Sequence, residues 1–114
     1  QNINLSIKQL TILNCLLVKK LISIYYKKKI TFKKPNDLLI KKKKISGILQ
    51  ETVDKLGVKY LIVGIGVNLI KSPDIKGYPT TNLNHLINKK LKKKKLENNL
   101  KIIFENKLSK FYEI

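Results

Sequence analysis

The sequence predicts an α/β (α+β) domain in which a mixed β-sheet is flanked by helices. Three patterns carry that expectation. Leucine and isoleucine recur at helical spacing near the start of the chain, apolar runs with period two fill its middle, and a second helical pattern closes it. With 114 residues there is room for one domain, and an apolar share of 43% is enough to give it a real core.

Leu10, Leu13, Leu17, Leu21 and Ile24 lie three and four residues apart, which places one apolar face on a helix from roughly Leu5 to Ile24. Cys15 packs within or beside that face as a small apolar residue. Ile30 to Lys34 reads as a strand ended by Pro35, which fixes φ and lacks a donor. Leu38 to Ile40 and Ile45 to Val53 are two more strands, joined by a lysine-rich turn. Asp54 to Gly57 reads as a further turn, and Tyr60 to Asn68 as a strongly apolar strand expected at the centre of the sheet. Ser72-Pro73 and Gly77-Tyr78-Pro79 mark a loop. Thr80 or Thr81 then caps a helix reaching about Leu91. Lys92 to Lys95 breaks that helix or covers its end. Leu96 to Tyr112 is a second helical stretch, with Leu100, Ile103, Phe104, Leu108, Phe111 and Tyr112 largely on one face.

The formal net charge is +18, and every one of the 25 basic residues is Lys. Nucleic-acid readers lean on Arg for its planar, bidentate fork, so a lysine-only excess argues more for drift of the whole composition than for a tuned surface. The charge still favours anionic ligands, with a strength that falls as salt rises. A single cysteine excludes an intramolecular disulfide and points to a reducing compartment, by default the cytoplasm. Gln9 to Val18 is apolar-rich but broken by Asn14 and too short to span a bilayer, and no small-residue cleavage site follows it. The chain opens at Gln1 and contains no Met, and reads as part of a longer one. His85 has no Cys or carboxylate at ligand spacing, so no metal site is expected.

The run "YLIVGIGVN" is the most informative. Side chains alternate along a strand, so Gly64, Gly66 and Asn68 share one face, while Val63, Ile65 and Val67 share the other. Two glycines on one face leave a bare slot about 7 Å long, with Asn68 at its end. Such glycines mark either a bulge or close backbone approach, or a floor for a flat guest. A dinucleotide fingerprint is not supported, because the third glycine is missing and Ser72-Pro73-Asp74 follows instead of a helix. Lys41, Lys42 and Lys43 lie in a turn and read as solvated charge. Lys44 differs: it opens the strand that carries Gly47, where an ammonium is placed to neutralise a carboxylate or phosphate. Asn36 and Asp37 follow Pro35 and read first as a turn.

Three runs in register, Lys33-Lys34-Pro35-Asn36-Asp37, Lys44-Ile45-Ser46-Gly47-Ile48-Leu49-Gln50-Glu51 and Gly64-Ile65-Gly66-Val67-Asn68, resemble the catalytic domain of biotin protein ligase (biotin–acetyl-CoA-carboxylase ligase). The resemblance spans about Phe32 to Leu69 closely and most of the chain weakly. It implies a partial catalytic domain of the biotin/lipoate ligase type over residues 1–114. It also implies two half-reactions: biotin and MgATP give biotinyl-5′-AMP and pyrophosphate, and the acyl group then passes to a lysine of a biotin carboxyl carrier protein domain. Carried onto this chain, Lys44 and Asp37 would be catalytic, Lys44 offsetting the repulsion between carboxylate and α-phosphate and Asp37 positioning or deprotonating the acceptor lysine. Lys44, Gly47, Ile48, Gly64 and Gly66 would hold biotin. Asn36, Val67 and Asn68 would hold ATP, with Asn68 toward the phosphates and Mg²⁺.

The chain departs from that pattern in places. Lys34 stands where the family has Trp, which removes an apolar wall. Lys41-Lys42 replaces the usual Asp-Gly turn, and because Lys disfavours φ > 0 a different turn or a weakened hairpin is expected. The family's Gly/Arg-rich loop over the adenylate and its C-terminal barrel have no counterpart in this Arg-free chain, so the chain by itself is expected to be a poor ligase. Two other readings stand beside this one. A lipoate–protein ligase-like enzyme shares the fold and a similar Asn-Asp…Lys-x-x-Gly arrangement. A basic nucleic-acid-binding module would show a steep fall of affinity with salt, but Tyr25, Tyr26, Tyr60 and Tyr78 are too scattered for a stacking platform.

Overall fold

The structure, a computed structural model, describes residues 6–112, and side chains through residue 108. Helix α1 (Ile7–Ser23) is followed by strands β1 (Thr31–Lys33), β2 (Asp37–Ile40), β3 (Lys43–Lys55) and β4 (Val58–Val67), and then by helices α2 (Leu83–Ile87) and α3 (Lys93–Tyr112). The four strands form one sheet in the order β1-β2-β3-β4, every neighbouring pair antiparallel. The α+β class holds. Parallel pairing occurs among the described residues only at the isolated bridge between Lys44 and Thr80. Among the described residues, the apolar strand expected at the centre of the sheet lies at its edge, because β4 pairs there with β3 alone.

Helix α1 starts at a capping box. Ser6 Oγ accepts from the Gln9 backbone N–H at 3.1 Å, and Gln9 Oε1 accepts from the Ser6 N–H at 2.9 Å. Leu5, expected at its start, lies outside the described residues. The buried face is Asn14, Cys15, Leu17, Val18, Leu21 and Ile22, about one position round from the predicted stripe, and Ile24 is exposed. Asn14, read from sequence as a break, is buried, and its side-chain amide donates to Gln50 Oε1 at 2.7 Å. That bond ties helix to sheet and satisfies the buried group. Cys15 is packed in the core, and burial pushes its thiol up, with the charge of Asp37 adding to it.

The core lies between α1, α3 and the inner half of the sheet. Val18, Leu21, Ile22, Leu38, Ile40, Ile45, Ile48 and Leu83 are its fully buried apolar residues, and Leu96 and Ile103 add the face of α3. Phe111 and Tyr112, expected on that face, have side chains outside the described residues. The outer half of the β3–β4 hairpin projects beyond the core: residues 51–62 are exposed along both strands, apolar Val53, Leu56, Val58 and Ile62 among them. α2 is shorter than expected. Asn82 rather than a threonine caps it, accepting from His85 N–H at 2.8 Å, and Asn88 in the left-handed region ends it.

Both hairpin turns have two residues with positive φ, Lys41 (50°) with Lys42 (65°) and Leu56 (52°) with Gly57 (78°). The expected change of turn geometry at Lys41-Lys42 does not occur: the strands hold the turn in the conformation that their right-handed twist demands. The lysines carry the conformational cost instead. The double change Lys41→Asn with Lys42→Gly is therefore expected to stabilise the chain by about 1 kcal/mol, seen as a higher urea midpoint at unchanged slope.

Candidate functional site

Strand register builds the site. Asp37 on β2 stands opposite Gly47 on β3, which stands opposite Gly66 on β4, and Leu49 stands opposite Gly64. Directly opposed residues share a face, so Asp37, Gly47 and Gly66 form a row across three strands, about 10 Å wide at about 4.8 Å per step. The predicted alternation of β4 is present. Val63, Ile65 and Val67 pack against the core, while Gly64 and Gly66 floor a cleft of about 510 Å³ on the other side. Asn36, Asp37, Lys44 and Asn68 wall it, and Pro73, Ile75 and Thr80 close it from the loop after β4. The volume suits a small ligand.

A Cβ added at Gly64 or Gly66 would meet only a backbone carbonyl at 3.8 Å, that of Leu49 or of Gly47. Close backbone approach does not require these glycines, and their bareness is open space. Gly47 differs, because a Cβ there would lie 3.1 Å from Lys44 Cε and Nζ and 3.4 Å from Asp37 Oδ1. Lys44 occupies the space that a side chain at position 47 would take.

Regular alternation would not put Lys44 there. Lys44 and Gly47 are three residues apart and belong on opposite faces of an unbroken strand. The pairing of β2 with β3 slips between Leu38 and Leu39: Leu38 faces Ser46, Leu39 faces Lys44, and Ile45 is left without a partner on β2. This bulge reverses the alternation, sending Ile45 into the core at 0% exposure and Lys44 into the cleft. The Lys44 backbone is then fixed by the segment after the loop, its N–H donating to Pro79 O at 2.8 Å and its carbonyl accepting from Thr81 N–H at 2.9 Å.

Asn68 completes the clamp. Its side-chain amide donates to the carbonyls of Lys44 at 3.2 Å and Thr81 at 3.1 Å. Two carbonyl partners fix the orientation of the amide, so the group Asn68 can offer a cleft occupant is its acceptor oxygen. An acceptor suits a cation or a hydroxyl donor and repels a bare phosphate oxygen. Asn36 also serves the strands: its side-chain amide donates to Ile48 O, and its own carbonyl accepts from Ile48 N–H at 3.0 Å.

The ammonium of Lys44 lies 3.4 Å from Asp37 Oδ1, both side chains being mostly buried. The other carboxylate oxygen, Oδ2, accepts from the Tyr78 hydroxyl at 2.6 Å. The sequence marks Tyr78 as part of a loop and as one of the scattered tyrosines; the signal available there is an aromatic ring held between Gly77 and Pro79. Its hydroxyl is pushed up to about 12, first by burial and then by the hydrogen bond and charge of Asp37.

Seven of the predicted residues thus meet at the cleft: Asn36, Asp37, Lys44, Gly47, Gly64, Gly66 and Asn68. Ile48 and Val67 do not. Ile48 is 1% exposed in the core, and Val67 packs beneath the sheet, because each stands one position from a cleft-facing glycine. Lys41, Lys42 and Lys43 are exposed, as expected of solvated charge, and so is Lys34. His85 is exposed, and among the described residues no group of three or more His, Cys, Asp or Glu gathers to hold a metal. No described helix is long and apolar enough to cross a membrane. Tyr26 is buried, and the Tyr25 hydroxyl accepts from the Asn99 side-chain amide.

The model of the Biotin/lipoate A/B protein ligase family matches residues 4–68, more than half of the chain. Among solved structures, the chain is similar to biotin protein ligase from Aquifex aeolicus in complex with biotin and ATP, with 28% identity and a TM-score of 0.76 over 93% of this chain and 45% of that one. A point mutant of the Aquifex aeolicus enzyme in complex with biotin is 33% identical, with a TM-score of 0.71 over 91% of this chain and 44% of that one. The Leishmania major biotin protein ligase in complex with biotinyl-5-AMP shares the fold at 21% identity and a TM-score of 0.67, over 87% of this chain and 47% of that one. The chain spans a little under half the length of each. No curated protein sequence matches it significantly.

Two outcomes separate an open floor from a structural one. Gly66→Ala is expected to raise stability by about 0.5–1 kcal/mol in chemical denaturation, since a strand glycine that nothing crowds gains from a side chain. Asn68→Asp is expected to lower it by on the order of 1–3 kcal/mol, because it removes both donors from two carbonyls beside Lys44.

Proposed function

The chain belongs to the biotin/lipoate A/B protein ligase family, and from that premise we propose that its cleft serves ATP-dependent activation of biotin to biotinyl-5′-AMP. Transfer of the acyl group to a lysine of a biotin carboxyl carrier protein domain would follow. The observation that carries the reading is the ammonium of Lys44 beside a floor of three glycines. A carboxylate and the α-phosphate of ATP repel each other. A fixed cation between them lowers that repulsion and stabilises the charge that develops as the new O–P bond forms and pyrophosphate leaves. Gly64 and Gly66, about 7 Å apart along β4, offer a flat bicyclic ring a surface without side chains.

In the second step an acceptor amine attacks the acyl carbon, AMP leaves, and a proton must go from the amine to a base. Asp37, already held by Lys44 and Tyr78, is the carboxylate at hand. The oxygen donors around the cleft are few, Asp37 and the acceptor oxygen of Asn68 among them. Such a set suits Mg²⁺, which keeps most of its waters and arrives on phosphates, better than a dedicated protein cage would. When bound, that ion would neutralise charge on the leaving pyrophosphate. Lys44, Asn68 and Asp37 would orient the two substrates.

The test is acid-dependent exchange of pyrophosphate into ATP, on a chain extended to the full length of the solved relatives. Lys44→Ala is expected to lower the rate by about 10²–10³, and biotin with MgATP to raise the melting temperature of the wild type but not of the variant. Equal rates and no melting shift in either protein would remove the proposal. Lipoate displacing biotin from the cleft would move it to the lipoate branch of the family.

A further inference from the structure

We infer that Tyr78 is a positioning residue for Lys44: by holding one oxygen of Asp37, it keeps that carboxylate from closing on the ammonium, which stays available to an anion in the cleft. Its purpose rests on the ligase reading; its geometry does not.

Asp37 has two partners, and they are unequal. The Tyr78 hydroxyl lies 2.6 Å from Oδ2, while the Lys44 ammonium lies 3.4 Å from Oδ1. A charge-assisted O–H···O⁻ bond is at full strength at about 2.5–2.7 Å, and an N⁺–H···O⁻ bond at about 2.7–2.9 Å. The tyrosine contact is therefore complete and the lysine contact stretched. The ring is a second hold on the same charge. Lys44 Nζ lies 5.5 Å from its centroid and Lys33 Nζ 4.4 Å, both within the range at which an aromatic face attracts a cation. The backbone ties these together, because Tyr78 N–H donates to Ile75 O at 3.0 Å and the next residue, Pro79, accepts the Lys44 N–H. One loop thus holds both the Lys44 main chain and the carboxylate that Lys44 faces. With its hydroxyl pushed up to about 12 by burial and by Asp37, Tyr78 stays a donor at neutral pH.

Without the hydroxyl, Asp37 is free to swing onto Lys44 and form a short ion pair that an incoming carboxylate or phosphate has to break. A hydrogen bond to a charged group is strong enough for this to weaken anion binding by about tenfold.

The first test needs no ligand. On the full 114-residue chain, acetylation of each lysine by acetic anhydride is followed by mass spectrometry. Tyr78→Phe is expected to slow the reaction at Lys44 by about threefold to tenfold, with Lys101 on α3 unchanged. Asp37→Asn should speed it, and the double variant should match Asp37→Asn, since Tyr78 acts through the carboxylate. An unchanged Lys44 rate in Tyr78→Phe, or a double variant unlike Asp37→Asn, overturns the inference; if Tyr78→Phe fails to fold, an unchanged Lys44 rate in Asp37→Asn overturns it alone. In pyrophosphate exchange on the extended chain, Tyr78→Phe should raise the KM for the acid with kcat little changed. A fall in kcat at constant KM would overturn the proposed role. If the acetylation pattern holds but neither biotin nor lipoate supports exchange, the ligase reading fails and the Tyr78 geometry stands.

Discussion

An unpaired residue on β3 decides where the charge of Lys44 goes. Ile45 has no partner on β2, and that single slip lets Ile45 and Ser46 both face inward while Lys44 and Gly47 share the outer face. A regular strand would bury the ammonium among Leu21, Ile22 and Ile48 and send Ile45 into the cleft. Charge burial without a partner is so unfavourable that such an arrangement would refold locally or leave the lysine neutral. The bulge removes the conflict, and the loop after β4 locks it, with Pro79, Thr81 and Asn68 taking both backbone groups of Lys44. The cleft is thus a consequence of backbone register, with side chains added to it.

The glycines are set by the neighbouring ladder, which has no slip. Gly47 stands opposite Gly66 in the unbroken pairing of β3 with β4, and Asp37 reaches the row through its pairing with Gly47. What remains is a surface without side chains bordered by one cation and one anion. Its base is rigid, since Ile48, Ile65 and Val67 anchor the other side of the same strands in the core.

Much of this is legible in the residues. Period-two alternation places Gly64 and Gly66 opposite Val63, Ile65 and Val67, because β4 is regular there. Three short motifs in register point to Lys44, Asp37, Asn36 and Asn68, where no pattern in the charge does. The misses have physical causes. The bulge at Ile45, set between Lys44 and Ser46, has no signature in the residue types around it, so the reason for the position of Lys44 is invisible in the sequence. The family resemblance brings Ile48 and Val67 into the site, yet alternation sends each to the face opposite its neighbouring glycine. The apolar composition of β4 suggests a central strand, yet among the described residues it lies at the edge. The role of Tyr78 depends on a loop folding back over β2, which local propensity does not describe. Lys41-Lys42 adopts a backbone that its residues disfavour, an instance of tertiary pairing outweighing local preference.

The projecting hairpin divides the molecule into two zones of unequal persistence. Its inner rungs, around Gly47–Gly66, sit on the core, whereas the rungs beyond Gln50–Val63 have solvent on both sides and are held by a ladder of hydrogen bonds alone. A two-stranded ribbon of that kind is marginal by itself. The tip is therefore expected to open more readily than the rest of the chain, as far as the rungs that carry the glycines. Amide protons would record a boundary near Gln50, rapid exchange on one side and protection on the other.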